Sequence, residues 1–242
     1  MNNLTADPAL WRFPVSLLLG TAFVVGLWLL DRYRGDSRLC RTLRSGRTAV
    51  ALTALTVLLL IPEGVWAAGL FRTWPCIAVV LLLAASLGLV TLRRLRTRRD
   101  AAFLLNHGGL FLILWAATFG APDTTRARMI VRQGETETLA YAADGTIIPL
   151  PFGVRLERFT IDWYDDGPPR QFRSSLLVDG KPCEVAVNSP VHHGGYTFLQ
   201  DGYDMREGRY TVLQVVRDPW LRAIWAGVAM LAAGSLLMLF KK

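Results

Sequence analysis

The chain has 242 residues, 52% apolar and 19% charged, with a mean hydropathy of +0.32. That composition excludes a disordered chain, and three cysteines in this length make no disulfide framework. A net charge of +8 raises nucleic acid as a partner until the charge is located along the chain.

Phe13 to Leu30 is free of charge and long enough to cross a bilayer, which takes about 20 apolar residues. No basic stretch precedes it and no small-residue cleavage site follows, so it is expected to be a retained helix. Thr48 to Phe71 is a second apolar run carrying one ionisable residue, Glu63, behind Pro62. Pro62-Glu63-Gly64 is expected to mark a break in that helix at the membrane interface. Trp74 to Leu92, Ala101 to Gly120 and Ala223 to Phe240 are charge-free as well. The expected organisation is four transmembrane helices in residues 1–120 (about 13–30, 48–71, 74–92 and 101–120), a β-rich domain over 121–219, and a last helix in 220–242. The fold class is therefore a membrane α-helical bundle of about five transmembrane helices with an extracytoplasmic all-β domain.

Arginine placement orients the set. Arg32, Arg34, Arg38, Arg41, Arg44 and Arg47 lie between the first two spans, Arg93, Arg94, Arg96, Arg98 and Arg99 between the third and fourth, and Lys241 and Lys242 at the end. If the spans alternate, all 13 of these fall on one side, and the positive-inside rule puts that side in the cytoplasm. The N-terminus is then outside, the C-terminus cytoplasmic and residues 121–219 extracytoplasmic, in a bacterial inner membrane. Residues 121–219 contain 11 Lys and Arg against 14 Asp and Glu. With a net charge of −3 there, the chain's basicity belongs to the inner loops, where it serves orientation and contact with the lipid bilayer. No nucleic-acid partner is expected.

In the outer segment, short β-rich runs alternate with turn signals. The expected strands are 127–131, 136–141, 146–150, 154–163, 171–178, 184–187, 196–199 and 210–216, with hairpin turns at Asp144-Gly145 and Asp179-Gly180. Val154, Leu156, Phe159 and Ile161 alternate with a slip near Arg158 that suggests a bulge. A β-sandwich or small barrel fits this spacing.

The chain has no Cys-x-x-Cys, no His-Glu-x-x-His, no phosphate loop and no nucleophile elbow, so no catalytic residue is assigned. An ionisable group within a membrane helix is a functional candidate by default. His107, six residues past Ala101, lies roughly 9 Å into its span. Asn106 precedes it, and Gly108-Gly109 would let a bulky group approach the backbone. A neutral imidazole there could ligate haem iron. The alternative is an interhelical hydrogen bond from His107, with the two glycines serving helix packing. Glu63, roughly 22 Å along its own span, does not pair with His107. His192 and His193 cannot both face one site on an extended chain, and before Gly194-Gly195 they read as turn residues. Cys40 is expected to be cytoplasmic and reduced, whereas Cys76 and Cys183, both on the outer side, leave a disulfide open.

Three ordered blocks resemble the ResB family. They are Asn106-His107-Gly108-Gly109-Leu110-Phe111 with Phe119-Gly120-Ala121-Pro122-Asp123; Phe172-Arg173-Ser174-Ser175-Leu176, Val187-Asn188-Ser189-Pro190 and Gly194-Gly195-Tyr196-Thr197-Phe198-Leu199-Gln200-Asp201-Gly202-Tyr203; and Val215-Val216-Arg217-Asp218-Pro219 leading into Trp225-Ala226-Gly227. The resemblance implies system II cytochrome c maturation: a non-catalytic subunit that, with a CcsA-type partner, exports haem b and attaches it to apocytochrome c. The family's membrane histidine would map onto His107 as the cofactor-binding residue and ligand of the haem iron. The chain departs from the pattern in its shortness, its compact outer domain and a last span without histidine. A second reading is an envelope scaffold that binds apocytochrome or another extracytoplasmic protein without haem, and a third is a quinone-linked redox subunit.

Overall fold

The computed structural model describes residues 8–66, 73–97, 100–165, 167, 169–204 and 209–240. The chain divides into two compact units, Met1–Asp123 with Trp220–Lys242, and Thr124–Pro219.

The first unit is helical: α1 (Val15–Arg34), α2 (Arg38–Leu43), α3 (Gly46–Trp66), α4 (Trp74–Thr97), α5 (Ala101–Gly120) and α6 (Leu221–Phe240). Local chemistry sets several ends. Ser37 caps α2 by accepting from the Cys40 amide at 3.3 Å, and Asp100 caps α5 by accepting from the Phe103 amide at 3.3 Å. Arginines occupy the last turns of α1 and α4, where the helix dipole favours cations.

Four of these helices, α1, α4, α5 and α6, are long and apolar enough to cross a membrane, and the apolar part of α3 is shorter, Gly46–Pro62. Between 11% and 28% of each spanning window is buried inside the unit. The remaining apolar faces need lipid as their solvent, so the chain is a multi-pass membrane protein. The expected break at Pro62 is not found, because α3 continues through it to Trp66. A proline forfeits one backbone hydrogen bond, a loss that membrane helices tolerate. The end of the expected second span, 67–71, and the side chain of Glu63 lie outside the described residues. The short helix α2, inside the first arginine-rich loop, was not anticipated.

Small residues and buried polar anchors hold the helices together. A Cβ on Gly109 would stand 2.6 Å from the Gly227 carbonyl oxygen, and one on Gly227 would stand 2.7 Å from that of Gly109, so α5 and α6 cross backbone to backbone. Leu27, Cys40, Ala85 and Leu89 form a second contact region with Phe111. Asp31, 3% exposed, meets Arg44 at 3.4 Å and Arg96 at 3.0 Å, tying α1 to the segment after α2 and to α4. Asp123 accepts from the Phe13 amide (2.6 Å), Ser16 Oγ (2.7 Å) and Trp220 Nε1 (2.7 Å), which fixes the starts of α1 and α6 to the end of α5.

The second unit is one eight-stranded antiparallel sheet: β1 (Thr125–Arg132), β2 (Thr136–Ala142), β3 (Ile147–Trp163), β4 (Pro169–Val178), β5 (Lys181–Ala186), β6 (Val191–His193), β7 (Tyr196–Tyr203) and β8 (Tyr210–Arg217). The strand order is β5-β4-β3-β2-β1-β8-β7-β6, with β1 and β8 paired from Thr125↔Arg217 to Arg132↔Tyr210. Consecutive hairpins run outward from that central pair. The sheet then curls until its two halves meet. Ser174 of β4 donates to Gln200 of β7 at 2.7 Å and to Thr211 of β8 at 2.9 Å, while Phe159 of β3 stacks on Tyr203 of β7 at 5.1 Å. These contacts from β3 and β4 across to β7 and β8 give a nearly closed barrel.

Alternation fills the interior: Met129 and Val131, Val154 and Leu156, Leu176 and Val178, and Leu213 and Val215 all point into one core with Phe198. Asp179 (φ 52°) and Gly180 (φ 71°) make the turn between β4 and β5, as expected. The register between β3 and β4 slips between Leu156 and Arg158, where the alternation faltered. Two expectations are corrected. The runs 146–150 and 154–163 are one bent strand, because pairing to β2 resumes beyond the Pro149-Leu150-Pro151 stretch, the register shifting where Pro149 to Val154 of β3 faces Leu139 to Glu137 of β2. His192 and His193 belong to a short strand, β6, paired with β7, and the turn is left to Gly194 (φ 57°) and Gly195 (φ 84°).

Candidate functional site

His107 sits in the second turn of α5, half-buried. Its Nδ1 lies 3.1 Å from the carbonyl oxygen of Phe103, one turn earlier on the same helix. A carbonyl can only accept, so Nδ1 carries the hydrogen, and in the neutral imidazole the lone pair is then on Nε2. The Phe103 ring lies flat on the imidazole, with centroids 3.7 Å apart and planes 15° from parallel. Arg94 of α4 places its guanidinium carbon 5.0 Å from the Phe103 centroid. The backbone carbonyl and the stacked ring hold the imidazole, and Arg94 in turn covers the ring that stacks on it.

This geometry answers part of the question left open by the sequence. The hydrogen bond from His107 is intrahelical, contrary to the interhelical bond considered as the alternative. The interhelical polar contact on this turn belongs to Asn106, whose Oδ1 accepts from Ser235 of α6 at 3.2 Å. The glycines divide as well. Gly109 is spent on the α6 crossing and offers no room to a ligand, while a Cβ on Gly108 would meet the end of Met230 at 3.3 Å.

Among the described residues no three His, Cys, Asp or Glu side chains gather as a metal site. A metal already held by a macrocycle asks for one protein nitrogen on each face, and His107 can supply one. In the β unit, His192 Nδ1 pairs with Thr197 Oγ1 at 2.9 Å, and His193 packs edge-on to Phe152 at 4.8 Å with Asp179 at 3.6 Å. Those contacts make them members of the barrel wall. Cys40, Cys76 and Cys183 are free thiols, and burial pushes the Cys183 thiol up against a smaller opposing effect from its hydrogen bond to the Val178 backbone.

Sequence reasoning missed Phe103 and Arg94. The available signal was an aromatic four residues before the histidine on a helix, a spacing that puts the two rings on one face. Arg94 carried no signal of its own, since it stood among five basic residues already assigned to orientation.

Residues 96–209, His107 included, match the model of the ResB-like family. The first two blocks of the sequence resemblance lie within that match and the third lies beyond it. Cytochrome c biogenesis protein CcsB of Synechococcus elongatus is 33% identical over 108 residues, which are 40% of this chain and 24% of that protein. The protein of the same name from another Synechococcus strain is 33% identical over 137 residues, 53% of this chain and 30% of that one. The chain thus spans less than a third of the length of these relatives. Among solved structures, Cytochrome c Heme Lyase CcmF aligns over 94% of this chain and 46% of that one at 16% identity and a TM-score of 0.42, a likeness too loose to argue from.

Proposed function

We propose that this chain, ResB-like over residues 96–209, is a membrane subunit of a cytochrome c biogenesis assembly that binds haem through His107 and passes it, with a CcsA-type partner, to apocytochrome c outside the cytoplasm. The observation that carries the reading is the anchored imidazole: Nδ1 lies 3.1 Å from the Phe103 carbonyl oxygen, which holds the ring and leaves Nε2 as the nitrogen available to iron. Relatives named for cytochrome c biogenesis supply the process. When bound, haem supplies the reactive vinyl edge and the iron; the residues of this chain hold and orient it.

The arginine-rich loops give the orientation of the proposal, with the 121–219 domain extracytoplasmic in a bacterial inner membrane and 220–242 returning the chain to the cytoplasm. His107 then lies in the inner half of the bilayer, where haem from the cytoplasm meets it early. Six-coordinate haem held by two histidines needs a second imidazole, and the helical unit of this chain has no histidine besides His107. The second ligand comes from the partner. Purification of the chain alone and together with a co-expressed CcsA-type protein tests this division: the complex should carry six-coordinate haem and the lone chain should not. Equal six-coordinate haem in both would refute it.

A further inference from the structure

Beside the Phe103 ring, on which His107 stacks, lies an open cavity of about 220 Å³ lined by Arg44, Val90, Arg93, Arg94, Thr97 and Phe103. Two of its three cations already have carboxylates. Arg44 pairs with Asp31 at 3.4 Å and also donates to the Gly35 and Cys40 carbonyls, and Arg93 pairs with Asp36 at 3.3 Å. Arg94 has no carboxylate partner among the described residues, and its Nε is buried without any hydrogen-bond partner. A buried guanidinium N–H left unpaired is costly, so an acceptor supplied by a ligand is the natural explanation.

We propose that this cavity receives a propionate carboxylate of the haem held by His107, with Arg94 as its principal ligand and Arg44, Arg93 and Thr97 around it. The inference rests on the haem-binding reading above and deepens it. Three observations select this anion. Phe103 is a shared wall, stacked at 3.7 Å on the imidazole and lying 5.0 Å from the Arg94 guanidinium, so iron ligand and cation are separated by one aromatic ring. The cavity is smaller than the roughly 300 Å³ at which pockets for whole ligands begin, which suits an acidic arm and not a macrocycle. The planar guanidinium fork also matches a carboxylate in shape.

The test uses the full chain with its CcsA-type partner in detergent, comparing wild type, Arg94→Gln, Arg94→Lys and His107→Ala. Each is titrated with haem and with haem dimethyl ester, whose carboxylates are masked, following the Soret band. Arg94→Gln should weaken haem binding about tenfold while leaving the ester unchanged. Arg94→Lys, a charge without the fork, should recover part of the loss, and His107→Ala should weaken both ligands. Wild-type affinity for haem in Arg94→Gln with a defect in His107→Ala overturns the carboxylate site and leaves the histidine reading standing. Wild-type affinity in all variants overturns both. Equal weakening of haem and ester in Arg94→Gln means that Arg94 only supports Phe103. Loss of co-purifying anionic phospholipid from Arg94→Gln with haem binding intact assigns the cavity to a lipid phosphate instead, and also overturns the proposal.

Discussion

Replacing Gly109 by alanine separates helix packing from ligand binding on the turn that carries His107. The added Cβ would stand 2.6 Å from the Gly227 carbonyl oxygen, 3.0 Å from Met230 Cβ and 3.1 Å from the Leu231 amide nitrogen. An ordinary carbon–oxygen contact is about 3.3 Å, so α6 must back away locally by roughly 0.7 Å. Its neighbours are backbone and Cβ atoms, which cannot rotate aside. Overpacking of this kind costs about 1–3 kcal/mol, which outweighs the gain of about 1 kcal/mol from replacing a helical glycine by alanine. Gly108→Ala is the internal control, because its Cβ meets the flexible end of Met230 at 3.3 Å. Thermal unfolding of the full chain in detergent should therefore rank Gly108→Ala at or above wild type and Gly109→Ala below it, about 2 kcal/mol apart. Gly227→Ala should resemble Gly109→Ala, and the double variant should lose less than the two together, since one separation relieves both contacts. Equal stability of the Gly108 and Gly109 variants would refute the backbone crossing.

Asp31→Asn removes a buried charge shared by Arg44 and Arg96; with the Arg96 side chain partly solvated, the loss should be about 2 kcal/mol, read as a lower melting temperature that Arg96→Gln reproduces only in part. Asp123→Ala leaves the Phe13 amide, Ser16 hydroxyl and Trp220 indole without their acceptor, and should cost about 3 kcal/mol, with Asp123→Asn milder, in the same unfolding assay. Cys183 has its thiol pKa raised in the fold chiefly by burial, so above the ordinary value of 9.0 the unfolded chain loses a proton that the folded one keeps. Stability of the β unit should therefore fall as pH rises past 9.0, an effect absent from Cys183→Ala, and iodoacetamide should label Cys183 more slowly in the folded chain than in urea.

Much of the architecture was legible because its cause is local. Charge-free runs of 18 or more residues mark helices whatever their neighbours do, and the alternation around Val154 and Leu156 marks a strand with one buried face, down to the slip before Arg158. Features with a nonlocal cause were not. The strand at Val191–His193 has three residues and exists because β7 pairs with it, so no pattern of its own could announce it. Asp31 read as one acid among arginines, and its burial depends on α4 bringing Arg96 to it. At the candidate site, His107 stood out as an ionisable group in an apolar run. What the glycines beside it do was beyond the sequence, since Gly109 and Gly227 are 118 positions apart and only the crossing of α5 and α6 gives each its role.

Haem retention by His107→Ala tests the central claim most directly. The variant should be purified with its CcsA-type partner, with partnering and thermal unfolding compared to wild type. Removing the imidazole deletes an iron ligand but leaves Gly109 against Gly227 untouched, so assembly should persist while bound haem falls severalfold. Free imidazole, small enough to enter the vacated space, should restore part of the Soret absorbance. A folded, partnered His107→Ala complex that carries wild-type haem and matures cytochrome c without imidazole would contradict the account and leave His107 a residue that only stacks on Phe103.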